Sequence, residues 1–287
     1  MKTFAVEYPI AELCQVLEVS RSGYYAWLKR QPSQRQLRNQ ALLLVISELY
    51  RQSRLTYGSP RITRELNKRH QPCGRNRVAR LMRQAGLRAC QSRAFRPRTT
   101  DSNHRLPVAA NLLKDNAPPT GPNQVWTTDI TYVHTEEGWL YLAAVMDLYS
   151  RKIVGWATAD HLKTSLPAAA LQQALDRRRP PAGLIHHSDR GVQYASEAYQ
   201  NLLQARGLVP SMSAAGHCYD NATMESFFSS LKRDLIHRQP WQTHQEVQSA
   251  LFEYLETFYN RWRLHSALNY RSPVAFEACN HTYHCSC

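Results

Sequence analysis

Residues 186–232 hold the pattern that decides the fold, and they run HHSDRGVQYASEAYQNLLQARGLVPSMSAAGHCYDNATMESFFSSLK. A short apolar run, GLIHH, comes just before Asp189 and predicts a strand, and SEAYQNLLQARG after it predicts a helix. The run LVPSMS predicts a second short strand, and a loop with Gly216 leads into a helix that carries Glu225. Strands and helices that alternate in this way indicate an α/β fold.

The residues upstream extend this pattern into a larger sheet. QVWTTDITYV predicts one strand, and WLYLAAVMDLYSRKIVGWATA predicts two more that join near residues 149–151. KTSLPAAALQQALDRRR predicts the helix that precedes GLIHH. The predicted order is therefore β-β-β-α-β-α-β-α, a mixed five-stranded sheet with helices, beginning near residue 123.

Three acidic residues occupy positions where they can meet. Asp129 lies in the first predicted strand, Asp189 ends the fourth, and Glu225 follows on a helix after 35 intervening residues. Three carboxylates at one end of a sheet can hold two hard divalent cations, which prefer oxygen ligands. Two such ions about 4 Å apart can activate an attacking oxygen and stabilise a leaving one in phosphodiester chemistry. Of the other acids, we expect Asp147 to be a turn or packing residue and Asp220 to cap the Glu225 helix.

The positive charge is concentrated in the first third of the chain. Residues 1–100 contain 20 Lys and Arg against 5 Asp and Glu, whereas residues 101–287 contain 16 against 17. The whole excess of the net charge of +14 therefore lies in the N-terminal region. A basic module joined to a nearly neutral one predicts a nucleic-acid-binding arm and a separate chemical domain.

The basic region contains two candidate helix-turn-helix units. IAELCQVLEVSRSGYYAWLKR, residues 10–30, predicts two short helices with Ser20 as the N-cap of the second. YGSPRITRELNKR predicts a helix capped by Ser59, and RNRVARLMRQAG predicts its partner. On that partner Arg77, Arg80 and Arg83 recur every three residues, which makes a cationic ridge beside the apolar positions. We expect this ridge to contact DNA, because a second helix of such a unit can enter the major groove.

A linker is predicted before the sheet. Residues 91–122 lack sustained periodicity and end in Pro118, Pro119, Gly121 and Pro122.

Composition limits the remaining possibilities. The seven cysteines are scattered, which favours reduced thiols over a disulfide framework. No apolar run approaches the roughly 20 residues that span a bilayer, and no secretory signal is visible. These features predict a cytoplasmic protein of about two domains without a membrane partner.

Five sequence stretches together resemble one family of enzymes. They are WTTDITY, YLAAVMDLYSRKIVGW, HHSDRGVQY, GHCYDNATMESFFSSLK and YNRWRLHSALNYRSPVAFE. In this order and spacing they resemble bacterial insertion-sequence transposases of the insertion-sequence-three type, specifically the product of the second reading frame. The resemblance covers about residues 1–277 and places the chain in the superfamily of DDE transposases and retroviral integrases.

This resemblance implies a division of the chain into five parts. Residues 1–90 would be a basic, all-α helix-turn-helix DNA-binding region, and residues 91–122 a linker. Residues 123–240 would form the ribonuclease-H-like catalytic core, and residues 241–277 a helical extension. Residues 278–287 depart from the family pattern, and their crowded Cys and His residues fit no recognised zinc spacing, so we expect a disordered tail.

The resemblance also implies the chemistry and the site residues. Asp129, Asp189 and Glu225 would hold two Mg²⁺ ions, with Mn²⁺ as a substitute, for cutting an element end and joining it to another strand. Lys232, seven residues past Glu225 and so on the same helix face, would bind DNA near the site. Further DNA contacts are expected from the side chains beside the acids, namely His187, Arg190 and Asn221.

The implied partners are double-stranded DNA at element ends and target, and a second copy of the chain, since two ends must be paired. A small upstream-frame helix-turn-helix protein, joined by frameshifting, is a further expected partner. The chain would then act on the bacterial nucleoid. Two alternatives stay open: a DNA-binding regulator with an inactive core, and a metal-dependent nuclease acting on RNA–DNA hybrids. The basic helix-turn-helix region favours duplex DNA, because the major groove of an A-form hybrid is too narrow for a recognition helix.

Overall fold

The computed structural model describes residues 3–89, 107–114, 117–213 and 221–283. The N-terminal region is helical: after a short 3₁₀ turn, Phe4–Val6, it comprises five α-helices. These are α1 (Ile10–Val16), α2 (Arg21–Lys29), α3 (Gln34–Gln52), α4 (Ser59–Lys68) and α5 (Arg75–Gln84).

Local capping explains where several of these helices begin and end. Ser20 caps α2 as predicted, since its Oγ accepts a hydrogen bond from the Gly23 N–H at 3.0 Å. Ser59 does not cap α4: it is the first helical residue, Gly58 holds the cap position, and Pro60 occupies the first turn. Gly86 ends α5 as predicted, with a φ of +68° and a bond from the Leu87 N–H to the Met82 carbonyl.

The core that follows the helical region contains a five-stranded mixed sheet, as the sequence predicted. Its strands are β1 (Val125–Thr135), β2 (Gly138–Asp147), β3 (Ile153–Ala159), β4 (Ile185–Ser188) and β5 (Val209–Met212). They lie in the order β3-β2-β1-β4-β5. The pairs β1–β2 and β2–β3 are antiparallel, whereas β1–β4 and β4–β5 are parallel.

Helices cover both faces of this sheet. They are α6 (Ser165–Arg178), α7 (Val192–Ala195), α8 (Glu197–Ala205) and α9 (Ala222–Asp234). One face packs with α6 and α8 in a cluster around Trp126, and the other packs with α9 in a cluster around Leu142. Gly155 permits the close approach of α6 to β3, because a Cβ there would stand 2.2 Å from the Ala170 carbonyl oxygen. The order β-β-β-α-β-α-β-α is confirmed, with the four-residue α7 as an addition.

Asp147 is the turn residue that the sequence predicted. Its side chain is fully buried after β2, where Oδ1 accepts from the Ser150 N–H at 3.0 Å and Oδ2 from the Asn123 N–H at 2.7 Å. Burial raises the pKa of this carboxyl, and these hydrogen bonds together with Arg178 oppose the shift. Asp147 therefore closes the β2–β3 turn and takes no part in the candidate site.

The C-terminal extension is helical. It contains a 3₁₀ turn (Ile236–Arg238), α10 (His244–Phe252), a π-helical segment (Glu253–Tyr259), a second 3₁₀ turn (Ser266–Leu268) and α11 (Pro273–Tyr283). Five apolar residues that recur at helical spacing in this region are all buried, namely Val247, Leu251, Tyr254, Leu255 and Phe258. The π-helical segment was not predicted; it shows in the bond from the Asn260 N–H to the Leu255 carbonyl five residues back.

Two boundaries differ from the sequence predictions. The helix α11 continues to Tyr283, past residue 277 where the helical extension was predicted to end, and no Pro or Gly follows Pro273 to end the helix. Residues 284–287 lie outside the described part of the chain. Within the predicted linker, the segment 107–114 lies against the edge of the sheet, where the Leu112 N–H donates to Ser211 Oγ at 3.0 Å.

The basic helical region packs directly on the C-terminal extension. Tyr57, which follows α3, is fully buried and stacks on Trp262 with ring centroids 5.1 Å apart. Its hydroxyl accepts from the Leu264 N–H at 2.7 Å, and Arg61 Nε donates to the Leu264 carbonyl at 2.9 Å. Residues of α3, α4 and α5 therefore share one hydrophobic cluster with the core. None of the described helices is long and apolar enough to cross a membrane.

Candidate active site

The parallel pairing of β1 with β4 brings two of the predicted acids together. Thr127 on β1 is paired with His187 on β4. Asp129 and Asp189 each follow two residues later, so continuing the register places the two carboxylates at matching positions. A strand-borne and a loop-borne aspartate therefore stand side by side at the carboxyl end of β4.

The same place is an open edge of the sheet. The strand β4 ends at Ser188, while β1 continues to Thr135; beyond that point β1 pairs with β2 on one side, and no strand of the described segments pairs with its other side. A cleft of about 470 Å³ lies at this edge and is lined by both aspartates. Its other walls are largely aromatic, formed by Tyr132, Trp139, Tyr141 and Tyr194. The acids are therefore accessible from solvent through a concave surface.

Each aspartate is held in place by a backbone N–H. Asp129 Oδ1 accepts from the Ile130 N–H at 2.7 Å, and Asp189 Oδ1 accepts from the Gly191 N–H at 2.9 Å. Gly191 leaves room for the second bond, because a Cβ there would stand 3.0 Å from Asp189 Oδ1. These bonds orient the two carboxylates before any ligand arrives.

The site carries an excess of negative charge. Burial, together with the nearby Asp189 and Glu225 charges, raises the pKa of the Asp129 carboxyl to about 8, while the Ile130 N–H and Lys232 oppose the shift. Three acids against one nearby lysine leave an excess of negative charge, which a bound cation would neutralise. Oxygen-only ligands with uncompensated charge fit a hard divalent cation such as Mg²⁺.

Glu225 stands at the margin of this arrangement. It is exposed on the first turn of α9 and does not line the cleft, although its charge acts on Asp129. Among the residues that the structure describes, no three His, Cys, Asp or Glu side chains form a ready-made metal-ligand set. The fold therefore brings the three acids to one edge of the sheet without closing them around a shared centre.

Lys232 lies where the sequence predicted it, on the Glu225 helix and beside the acids. Its Nζ stands 4.8 Å from the ring centroid of Tyr132, a cation–π contact. Partial burial lowers the pKa of Lys232, and the charge of Asp129 opposes that shift. The ammonium group thus lies beside a ring that lines the cleft, although Lys232 is not itself one of the cleft residues.

His187 does not lie where a DNA contact requires. The side chain is fully buried, with Nδ1 2.9 Å from Ser211 Oγ and Nε2 3.1 Å from Ser213 Oγ. This placement contradicts a direct contact with DNA, since a side chain without exposed surface cannot touch a strand. Arg190 is partly exposed and donates through Nε to the Ser213 carbonyl at 2.7 Å, so its contact with DNA stays a prediction.

Asn221 also differs from its prediction. It holds the cap position of α9, yet its side chain makes no capping bond. Instead Asn221 Oδ1 accepts from Thr127 Oγ1 at 2.7 Å, and only 8% of the residue is exposed. Its predicted contact with DNA therefore has little surface available, and its bond ties the start of α9 to β1. Asp220, which the sequence predicted as the cap of this helix, lies outside the described residues.

The far end of α9 is anchored by a buried ionic group that the sequence did not reveal. Asp234 Oδ2 accepts from Arg263 Nε at 3.0 Å, and Asp234 Oδ1 accepts from Arg233 Nε at 2.9 Å. Tyr254 from the π-helical segment donates to the same carboxylate at 3.3 Å. The bond to Thr127 at its start and the ion pair with Arg263 at its end hold α9 in place over the sheet, and with it Glu225 and Lys232.

The arginine ridge of α5 lies on a shared cationic surface. Arg77 and Arg80 line a hollow with Arg35 and Arg38 of α3. Arg77 is oriented by Asn39, whose Oδ1 accepts from both Nε and the terminal nitrogen, at 3.0 and 2.7 Å. Arg83 is exposed further along α5. The ridge thus extends onto α3, which the spacing within α5 alone could not indicate.

Family models match most of the chain. A model described as "HTH-like domain" matches residues 37–95. Two models described as "Integrase core domain" match residues 119–218 and residues 206–273.

Solved structures of viral integrases show a partial likeness. The chain of a simian T-cell lymphotropic virus intasome is 13% identical with a TM-score of 0.47, over 81% of this chain and 74% of that one. The HTLV-2 integrase catalytic core domain in complex with magnesium is 15% identical with a TM-score of 0.43, over 55% of this chain and 98% of that one.

Curated relatives are much closer in sequence. The chain is 48% identical over 265 residues to the "Insertion element IS600 uncharacterized 31 kDa protein" of Shigella sonnei, covering 92% of this chain and 97% of that protein. It is 45% identical over 273 residues to "Transposase InsF for insertion sequence IS3A" of Escherichia coli, covering 94% of both. At this identity and coverage, the chain belongs to the family of insertion-sequence-three transposases.

Proposed function

We propose that this chain cuts and joins DNA at the ends of an insertion sequence, with Asp129, Asp189 and Glu225 as its catalytic carboxylates. The observation that carries the proposal is the β1–β4 register, which sets Asp129 and Asp189 side by side at the open edge of the sheet. Lys232 beside them supplies a nearby positive charge that acts on Asp129. Such a grouping suits a phosphodiester group better than a neutral substrate.

Two Mg²⁺ ions, with Mn²⁺ as the substitute, would be held by these three carboxylates. Bound there, the ions supply activation of an attacking oxygen and stabilisation of the leaving oxygen. Glu225 would complete the set from the first turn of α9, outside the cleft that the two aspartates line. The bond between Asn221 and Thr127 ties the start of α9 to β1, the strand that carries Asp129.

The side chains of the protein bind and orient the strand. Lys232 would pair with a phosphate beside the cleaved bond, and its contact with Tyr132 keeps the ammonium group at the cleft. Arg190, partly exposed next to Asp189, would contact the same strand. The cut frees a 3′-hydroxyl, which remains bound and attacks a phosphate of the second strand in the same site.

The basic helical region would hold duplex DNA away from the reacting bond. The surface of Arg35, Arg38, Arg77 and Arg80 is open and suits backbone phosphates, which bind arginine without regard to sequence. Because this region packs on the C-terminal extension, the duplex and the cleft would be held by one body. Arg83 would extend the contact along α5.

Pairing of two element ends requires two catalytic chains, so the acting species would be a dimer or a larger assembly. The family resemblance adds an upstream-frame helix-turn-helix protein, joined by frameshifting, as a partner. An enzyme that acts on bacterial chromosomal DNA would work at the nucleoid.

The test is a cutting and joining assay on duplexes that carry the ends of the element, with Mg²⁺, for the chain alone and for its upstream-frame fusion. Wild type should release a 3′-hydroxyl end and join it to a second duplex. Asp129→Asn should bind the same DNA and do neither, whereas Asp176→Asn, an exposed acid on α6, should behave as wild type. Binding without cutting by both forms of wild type would favour a regulator, and cutting without joining would favour a nuclease.

A further inference from the structure

The cleft beside the two aspartates has an aromatic wall that metal binding does not require. Trp139 on β2 is 48% exposed, unusually high for a tryptophan. It lies edge-to-face against Tyr132 on β1, with ring centroids 5.0 Å apart, and in the same way against His134. Both Trp139 and Tyr132 line the cleft that contains Asp129 and Asp189.

The register of β1 and β2 explains why these rings are grouped. His134 is paired with Trp139 and Tyr132 with Tyr141, so all four side chains belong to one face of the hairpin. Exposed Leu162 and Val192 line the cleft from the facing segments, with 42% and 44% of their surfaces accessible. The cleft therefore has an apolar part, which we call the slot, directly beside Asp129 and Asp189.

The charges around the slot identify what it can hold. Lys232 Nζ lies 4.8 Å from the Tyr132 ring centroid and its charge acts on Asp129, so a positive charge lies near both the acids and the aromatic wall, although Lys232 does not itself line the cleft. A ligand suited to this place has a flat apolar part for the rings and an anionic group for the lysine. A nucleotide has both, and aromatic side chains bind bases by stacking in single-stranded recognition.

We propose that Trp139 and Tyr132 form a base-binding subsite that holds one nucleobase, unstacked from its helix, next to the bond that is cut. This inference rests on the proposed function, since it deepens the role of the same cleft. The cleft volume of about 470 Å³ falls within the range of about 300–1,000 Å³ usual for small-ligand sites. Removing a base from the stack would free the strand to bend towards Asp129 and Asp189.

The test is a thermodynamic cycle in DNA binding. The probe is a duplex with the element's end sequence, either intact or abasic at one of the two nucleotides that flank the cleaved bond. The protein is the Glu225→Gln chain, or its upstream-frame fusion, so that the DNA stays uncut. Trp139→Ala should weaken binding of the intact end by about tenfold, within the range of about 5- to 150-fold expected for loss of one base stack. At one of the two abasic ends the same substitution should have no effect.

Two matched variants separate stacking from damage to the fold. Trp139→Phe keeps a ring and should bind within about threefold of the parent. Phe252→Ala removes a comparably exposed aromatic side chain, 57% accessible, from the surface near Trp156. It should leave the affinities for the intact and the abasic ends unchanged. Circular dichroism of each variant checks that it is folded.

Equal losses on intact and abasic ends would overturn the proposal, because Trp139 would then not contact the missing base. A fall in oligomeric state with Trp139→Ala, without coupling to either abasic position, would also overturn it and assign the wall to a second copy of the chain. Cutting by wild type is measured in parallel. If the cycle shows that Trp139 is coupled to one abasic position while wild type cuts no DNA, that result would count against the proposed function and leave the subsite standing.

Discussion

Asp129 and Asp189 occupy matching positions on two parallel segments, each two residues past the paired Thr127 and His187. Their carboxylates share one open edge of the sheet, where Glu225 adds a third negative charge and Lys232 the nearby cation. Burial and the neighbouring negative charges disfavour the ionised form of Asp129, so folding without a metal carries a cost: Asp129 is either a buried charge or, near neutral pH, takes up a proton that the unfolded chain would not bind. A divalent cation would offset this cost.

Removing one of these charges should therefore stabilise the metal-free protein. We expect Asp129→Asn to raise the unfolding free energy by about 1 kcal/mol, which is about 2 °C in Tm for a chain of this size. The same variant should lose the rise in Tm that Mg²⁺ gives to wild type, because it lacks a ligand. Differential scanning calorimetry with EDTA and with Mg²⁺ measures both. A lower Tm in EDTA for Asp129→Asn would contradict the charge argument.

Lys232 should matter for DNA more than for folding. Lys232→Met keeps the aliphatic stem on Tyr132 and removes the charge, so we expect about a tenfold slower cut with a Tm within about 1 °C of wild type. Lys232→Arg, which keeps a cation over the ring, should recover part of the rate. Single-turnover cutting measures the effect. An unchanged rate for Lys232→Met would remove this residue from the site.

The bond between Thr127 and Asn221 should position the helix that carries Glu225. Both groups are buried, so Thr127→Val leaves the Asn221 side chain without its partner and should cost about 1–3 kcal/mol of stability. It should also raise the Mg²⁺ concentration needed for half-maximal cutting, because α9 is then less well held. Thr127→Ser keeps the hydroxyl and should restore the metal requirement. A purely structural role would lower stability and leave that requirement unchanged.

His186 should make the fold sensitive to acid. It is buried in β4 with Nε2 2.8 Å from the Tyr199 hydroxyl, and burial lowers its pKa to about 3, with the neighbouring His187 adding to the shift. The unfolded chain, with a pKa near 6.5, binds a proton that the folded chain excludes. Stability should therefore fall as pH drops from about 6.5 towards 3, by at most about 1.4 kcal/mol per pH unit for this group.

Chemical denaturation between pH 4 and 7 measures this slope. His186→Gln cannot take up the proton and should flatten the slope, while His237→Gln, at an exposed position, should leave it unchanged. Equal slopes for wild type and His186→Gln would contradict the assignment.

Much of the core could be predicted because the determining patterns are local. The strands at GLIHH and QVWTTDITYV were visible from apolar runs, and a helix between parallel strands implies that their carboxyl ends meet. That rule does not by itself bring Asp129 beside Asp189, because Asp129 is the fifth residue of the 11-residue β1; the observed register does. The arginine spacing on α5 likewise placed a cationic ridge in the helical region.

Other features depend on contacts between distant residues and left no local pattern. His187 lies in a strand buried on both faces, where alternation gives no sign of which polar residue is enclosed. The bond from Thr127 to Asn221 spans 94 residues, and that from Leu264 to Tyr57 spans 207. The aromatic wall had a weak signal in the alternation of Tyr132, Trp139 and Tyr141, since strand pairing alone puts them on one face.

The central claim is that Glu225 acts with Asp129 and Asp189, although it does not line their cleft. The most direct measurement is the single-turnover rate of cutting an element end in Mg²⁺ by Glu225→Gln beside wild type, in whichever form of the protein cuts. Glutamine keeps the shape of the side chain and removes its charge. We predict a loss of at least about 100-fold with unchanged DNA affinity, since even the outer partners of metal ligands are worth about 10–100-fold. A rate equal to wild type would contradict the three-carboxylate site.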